Sequence, residues 1–512
     1  MDLGKKDKEK ESNSLKNDLD YSLARKLPVS FAKKYKIVPL RMSSGFVEVA
    51  AVQDFFYCRV MDDLRAFFRR EIKPLYINNA EFMALLASVY YEEREAASGI
   101  LEDIKKGERS LDVEVEGVKD LLEASDEGPI IAFVNSILSE ALEKRASDIH
   151  IEPLEKDVRI RYRVDGILYD SLRLPRPLHP KVSSRIKVMA DLNLAERRLP
   201  QDGRIRVKIG GKDIDIRVSV LPTVFGERLV LRLLYREDID LNLKELGFEK
   251  QDFELFSNLI HKDHGLILTT GPTGAGKTTT LYGSLSAINS PEKNILTIED
   301  PIEYQLKGIG QMQVTPKIGL TFSNGLRHLL RQDPDILMVG EIRDRETAEI
   351  AIHASLTGHL VFSTLHTNDS VGAIARLIDM GVEPFMVSAS LLAVLAQRLV
   401  RALCPHCKEP YQKSLDNSKD DSVFSKSKEQ TIYRKKGCER CFQTGYRGRA
   451  GIYELLVMTD PIRKLIVDRT DNATLGKEAQ TEGLTTLREG GLKKVLKGVT
   501  TEEEVARVTQ EE

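Results

Sequence analysis

One stretch constrains this chain more than any other: Gly271-Pro272-Thr273-Gly274-Ala275-Gly276-Lys277-Thr278. It fits the pattern G-x-x-x-x-G-K-[ST]. The apolar run Leu266-Ile267-Leu268 before it reads as a buried strand, and Thr279 to Ile288 behind it reads as a helix. Strand, glycine loop and helix form the setting that a phosphate-binding loop needs. Glycines let backbone N–H groups curl around an anion with no Cβ in the way. The helix start adds partial positive charge. Lys277 is placed to reach β- and γ-phosphates, and the Thr278 hydroxyl, with Thr279 beside it, is placed at a Mg²⁺ ion. A chance glycine turn is the bland alternative.

The chain has 512 residues, enough for about three or four domains. Basic and acidic residues nearly cancel, at 76 and 78, so net charge gives no argument for a nucleic-acid partner. No apolar run approaches the ~18 residues of a membrane span, and the charged start, Met1 to Asp20, lacks a signal peptide's apolar centre. These features predict a soluble, cytoplasmic protein that docks, if at all, on a membrane face.

Residues 1–20 read as a disordered tail. A small α+β domain follows over 21–95, with a strand at Phe46–Val52 and helices at Val60–Phe68 and Phe82–Tyr91; its Cys58 reads as a buried small hydrophobe. Charged residues 96–125 form a linker. A second α+β domain spans 126–238. It opens with a helical stripe, Ile130, Val134, Ile137, Leu138 and Leu142, and continues in hairpins at Asp165-Gly166 and Gly210-Gly211. Its strands alternate apolar residues with Arg159, Arg161, Arg163, Arg204, Arg206, Arg217 and Arg232. Most of these read as a solvated sheet face, with a few neutralising charge on a nucleotide.

Over 245–396 the pattern becomes α/β, with strands at Leu266–Thr269, Ile295–Ile298, Ile336–Val339 and Leu360–Thr364 and helices between, notably Thr347–Leu356. That order predicts a parallel sheet covered on both faces, its ligand site beyond the carboxyl ends of the strands. Three strands are followed by acidic or imidazole groups: Glu299-Asp300-Pro301-Ile302-Glu303, Gly340-Glu341 and Leu365-His366, with His359 before the last strand. Water activation and Mg²⁺ retention need such groups near a γ-phosphate. Where phosphate-loop enzymes usually carry Asp for Mg²⁺, this chain has Gly340 and then Glu341. Glu341 is therefore expected to organise Mg²⁺. Glu303 is the first choice for polarising water, and Glu341 the alternative.

Four of the five cysteines form two pairs, Cys404-x-x-Cys407 and Cys438-x-x-Cys441, within 397–452. Four thiolates predict a closed, structural Zn²⁺ site that staples an inserted subdomain, with His406 a bystander. Residues 453–512 read as a helical closing segment.

These boxes resemble the secretion ATPases of the type II / type IV pilus superfamily. The resemblance rests on the loop at 271–278, on Thr297-Ile298-Glu299-Asp300-Pro301-Ile302-Glu303-Tyr304, on Arg331-Gln332-Asp333-Pro334-Asp335 through Gly340-Glu341-Ile342-Arg343-Asp344, on Thr357-Gly358-His359 through Leu365-His366-Thr367-Asn368, and on Ala146-Ser147-Asp148-Ile149-His150-Ile151-Glu152-Pro153. The segment 309–314 and the ending Arg507-Val508-Thr509 are most similar to the type II secretion branch, with pilus assembly the alternative. The resemblance implies a RecA-like ATPase domain after a PAS-like second domain, with ATP and Mg²⁺ held between them. It implies catalytic roles for Lys277, Glu303, Glu341, His359 and His366, with Glu299 and Asp300 near the nucleotide, and arginines Arg217 and Arg232 at the γ-phosphate. It implies a homo-hexamer on the bacterial inner membrane, a bitopic membrane protein bound by the N-terminal domain, and a polytopic platform protein. A RecA-like nucleic-acid translocase is the weaker alternative, since there is no Trp and no basic-aromatic channel. A non-enzymatic zinc scaffold leaves Glu303, Glu341 and His366 unexplained.

Overall fold

A computed structural model describes residues 19–89 with short gaps, and 128–209, 212–235, 242–414 and 429–509. The linker expected at 96–125, the tail up to residue 18 and the side chain of Cys58 lie outside the described residues. The chain divides into two compact units, Met1–Glu237 and Asp238–Glu512.

The first unit holds two sheets. Strands β1 (Ile37–Met42), β2 (Phe46–Val52) and β3 (Glu71–Ile77) lie in that order, β1 antiparallel and β3 parallel to β2. A parallel neighbour needs a crossover, and the helix Cys58–Phe68 supplies it, burying Val60, Met61 and Leu64. Of the helix expected at 82–91, the described part buries Phe82, Leu85, Leu86 and Val89.

The second sheet is antiparallel: β4 (Asp148–Pro153), β5 (Asp157–Val164), β6 (Ile167–Pro175), β7 (Gln201–Ile209), β8 (Lys212–Thr223) and β9 (Gly226–Tyr235), in the order β6-β5-β4-β9-β8-β7. Period-two alternation does what it predicts. Val158, Ile160 and Tyr162 are buried in the core with Val134, Ile137 and Leu138 of the helix Pro129–Glu143, while Arg159, Arg161 and Arg163 take the other face. At the β5–β6 turn Asp165 and Gly166 have φ of 49° and 86°, the left-handed pair that a tight hairpin requires.

The second unit is built on a seven-stranded sheet. Its strands are β10 (Gly265–Thr270), β11 (Ile295–Glu299), β12 (Gly310–Gln313), β13 (Ile336–Val339), β14 (Leu360–Leu365), β15 (Leu391–Leu403) and β18 (Tyr446–Val457), ordered β12-β11-β13-β14-β10-β15-β18. Six run parallel and β18 is antiparallel to β15. The four expected strands are β10, β11, β13 and β14. They read as unbroken apolar runs because both faces are covered. Leu266 and Leu268 enter one core with Ala348, Ala351 and Ile374, while Ile267 enters the opposite core with Leu281 and Leu285. The short pair β16 (Glu409–Ser414) and β17 (Glu429–Arg434) projects from the hairpin formed by β15 and β18. The boundaries expected at 396/397 and 452/453 fall inside β15 and β18, which stay paired from Ala393–Val457 to Leu403–Tyr446.

Candidate active site and metal centre

The phosphate loop sits at the carboxyl end of β10 and opens the helix Lys277–Ile288. Gly271, Gly274 and Gly276 have φ of 147°, 81° and 88°. A Cβ on Gly271 would stand 2.5 Å from the Gln397 carbonyl oxygen, and one on Gly276 would stand 2.9 Å from Gln397 Nε2, so the tight packing of the loop on β15 demands glycine twice. Lys277 Nζ donates to the carbonyl oxygens of Gly271 at 2.6 Å and Pro272 at 3.1 Å. Burial pushes the ammonium down to about 8, partly offset by Glu341. Thr278 is exposed and Thr279 half-buried on the first helical turn.

Loops beyond neighbouring strands bring carboxylates and an imidazole to this edge. Glu341, after β13, pairs with Arg343, whose other neighbour is Asp300 at 3.8 Å, after β11. His366 Nε2, after β14, lies 3.4 Å from Glu341 Oε2. Burial, then the nearby Lys277 cation, hold the His366 imidazole below its ordinary value. Lys277, Glu341, Arg343 and Asp300 thus form one charged set, with the His366 imidazole beside Glu341. Thr270 ties the His366 loop to β10 by accepting the Thr367 N–H at 2.9 Å. The donor set suits a triphosphate and a hard cation: a half-buried ammonium, a helix N-terminus, the exposed Thr278 hydroxyl and the Glu341 carboxylate.

Two expected site residues stand elsewhere. Glu299 is 3% exposed and takes hydrogen bonds from the Tyr282 hydroxyl, Thr297 Oγ1 at 2.6 Å and Gln311 Nε2 at 3.0 Å. Both of its oxygens accept these bonds inside the protein. His359 precedes β14, at the amino end of the sheet. At about 3.3 Å per residue it is roughly 20 Å from Leu365, and it does not reach this chain's own loop. Its Nδ1 instead meets the Ala354 carbonyl at 2.9 Å. Glu303 is half-buried, its backbone N–H 3.4 Å from the Tyr282 hydroxyl.

In the first unit Arg232 Nε donates to Asp148 at 3.0 Å, and Arg217 is its cross-strand partner on β8. Arg159, Arg161 and Arg228 converge on Glu152, so at least these arginines are held by ion pairs. Tyr282, Gln397, Arg398 and Thr270 touch the site's supporting structure, and none belongs to a local motif. Arg398 Nη2 donates to the Asn368 carbonyl at 2.8 Å, and Gln397 contacts the loop itself.

The four cysteine sulfurs lie within 4.8 Å of one another. Sγ separations are 3.9 Å for Cys404–Cys438, 3.8 Å for Cys407–Cys441 and 3.7 Å for Cys438–Cys441. Zinc–sulfur bonds of about 2.3 Å give a tetrahedron with edges of about 3.8 Å. Sulfurs at this spacing are too far apart for disulfides and fit a single zinc ion. The N–H groups of Cys438 and Gly445 point at Cys441 Sγ, each at 3.2 Å, as donors to a thiolate would.

A parallel sheet with a phosphate loop and an acidic rim defines an ATPase of the phosphate-loop class. The chain belongs to the Type II/IV secretion system protein family, whose model matches residues 123–507, and an MshEN domain model matches residues 15–96. It is 49% identical to the Type II secretion system protein E of Pseudomonas aeruginosa, over 95% of this chain and 97% of that one. It is 43% identical to the Type IV pilus assembly ATPase PilB of Myxococcus xanthus, over 95% of this chain and 87% of that one. The crystal structure of the pilus retraction motor PilT with bound ADP covers 73% of this chain and 96% of that one, at 28% identity and a TM-score of 0.50. Among the described residues no helix is long and apolar enough to cross a membrane.

Proposed function

We propose that this protein hydrolyses ATP to power type II protein secretion. The observation that carries the reading is near-half identity along almost the whole length of a relative named for that system. In this reading the loop amides and Lys277 bind the triphosphate. Thr278 and Glu341 hold Mg²⁺, which when bound neutralises charge on the phosphate oxygens. Glu303 orients and polarises the attacking water. His366, kept neutral beside Glu341, completes the rim. Arg217 and Arg232 of the first unit approach the γ-phosphate, from the same or a neighbouring subunit of a homo-hexamer. The cysteine cluster holds zinc as a structural staple. The N-terminal domain docks a bitopic inner-membrane protein, a polytopic platform protein completes the assembly, and the motor works on the cytoplasmic face of the inner membrane.

The test is a Lys277→Ala variant of the assembled oligomer. It is expected to fold and to lose ATP turnover, and its gene to fail to restore secretion in a strain lacking the motor. Full hydrolysis by that variant refutes the site. The identity to PilB supports a second reading, pilus assembly. Restoration of piliation and not of secretion would favour it.

A further inference from the structure

Gln397 lies on β15, 122 residues from the phosphate loop in sequence, yet its side chain bridges the loop and the helix behind it. Its Nε2 donates to the Ala275 carbonyl oxygen at 2.6 Å, and its Oε1 accepts from Thr280 Oγ1 at 2.8 Å. Gln397 and Thr280 are 1% exposed and Ala275 is 3% exposed, so water does not replace either bond. The Ala275 carbonyl can only accept, so it fixes the orientation of the amide: a flip would set Oε1 against it and lose that bond, while the Thr280 hydroxyl can pair with either end. We infer that Gln397 is a positioning residue for nucleotide binding, which fixes the Ala275–Gly276 peptide so that the Gly276 N–H is aimed into the loop.

The geometry of the peptide group carries the argument. Among the described residues Asp300–Pro301 is the one cis bond, so the Ala275–Gly276 peptide is trans. In a planar trans peptide the C=O and the following N–H point in opposite directions. Anchoring the Ala275 carbonyl on β15 therefore directs the Gly276 N–H to the other side, away from the sheet and toward the loop's concavity. Gly276 has φ of 88°, and without a Cβ it has many alternatives to lose. A clamp that removes those alternatives in advance lowers the ordering cost of anion binding. The neighbouring residue works on the other wall of the site: Arg398 donates to the Gln397 carbonyl at 3.1 Å and to Asn368, two residues past His366. Two consecutive β15 side chains thus hold both loops that flank Lys277.

The inference rests on the ATPase reading of this loop, and the test separates the two. ATP turnover and the Kd for ADP are measured on the full-length oligomer for the parent, Lys277→Ala, Gln397→Met, Gln397→Glu and Thr280→Val, alongside thermal unfolding of each. Gln397→Met keeps the volume and removes both bonds. Gln397→Glu keeps the acceptor for Thr280 but sets an acceptor against the Ala275 carbonyl. Thr280→Val removes one bond and leaves the other. The expected result is a rise of about tenfold in Kd and KM for Gln397→Met and Gln397→Glu, with kcat at saturating ATP within about twofold of the parent, and a smaller rise for Thr280→Val. A variant that unfolds at lower temperature but binds ADP with the parent's Kd shows a purely structural role and overturns the inference. If both Gln397 variants fail to fold, an unchanged Kd in Thr280→Val overturns it and a raised Kd supports it. Turnover surviving in Lys277→Ala refutes the site reading instead, whatever Gln397 does.

Discussion

The ammonium of Lys277 donates to the carbonyl oxygen of Gly271 at 2.6 Å, six residues back along its own loop. Burial holds its pKa at about 8, so the proton on Nζ is weakly held for a lysine. A triphosphate favours the charged form, and binding is therefore coupled to proton uptake once the free protein loses that proton. The sign follows directly. Below pH 8 the ammonium is already charged and affinity is level. Above pH 8 affinity falls by up to about tenfold per pH unit. Calorimetric titration with ADP from pH 7 to 9.5 checks this, and Lys277→Arg, which keeps its charge throughout, is expected to lose the slope.

Tyr282 ties the loop's helix to the acidic segment after β11. It is fully buried, its hydroxyl donates to Glu299, and the Glu303 N–H lies 3.4 Å away. Tyr282→Phe leaves a buried carboxylate short of a donor, at a cost of about 1–3 kcal/mol in stability. It also releases the backbone of Glu303, so kcat is expected to fall about tenfold while ADP affinity stays within about twofold. Denaturant unfolding, single-turnover hydrolysis and ADP binding measure the three. An unchanged kcat would remove Tyr282 from the account of how Glu303 is held.

The hairpin β16–β17 is two-stranded, and such pairs are marginal alone. The four cysteines close its base, so metal and hairpin are expected to stand or fall together. Metal analysis should give one zinc per chain, and Cys404→Ser or Cys441→Ser should abolish it. Hydrogen exchange is then expected to accelerate over 404–446, while β10, β13 and β14, buried on both faces, keep their protection. Retained protection of the hairpin in the zinc-free variant would show that contacts such as Ile432 in the adjoining core suffice without metal.

What the chain discloses locally it discloses well. The strand-loop-helix at 265–288 and the paired cysteines are legible because each is set by near neighbours in sequence. β15 is not, because Gln397 and Arg398 interrupt its apolar run although both are buried, each satisfied by partners far along the chain. β18 hides for the same reason: buried Glu454 accepts from Ser370 and Leu487. Glu299 and His359 sit in segments that announce a site, but the backbone turns one inward and leaves the other at the far end of its strand. Sequence names the segments that matter, and only the packing assigns each side chain its work.

The C-terminal helix Glu502–Thr509 is bound by a carboxylate that titrates far below its usual range. Burial alone would raise Glu504, but Arg401 at 2.5 Å and Arg507 at 2.8 Å outweigh it and hold it at about 2. A depressed carboxylate stabilises the fold above its unfolded value and loses that contribution as pH falls through its folded value. The window is therefore about pH 4.5 down to 2, and the contribution above it is at most about 3 kcal/mol. Glu504→Gln is expected to be less stable than the parent by up to this amount at pH 7, with the gap narrowing across the window. Arg401→Ala should cost more than Glu504→Gln at pH 7, since it strips a partner from a buried charge. Urea unfolding of the three proteins at pH 7, 5 and 4 checks the ordering. A parent–Glu504→Gln gap that widens toward acid would mean that the folded protein raises Glu504 above its unfolded value instead of lowering it.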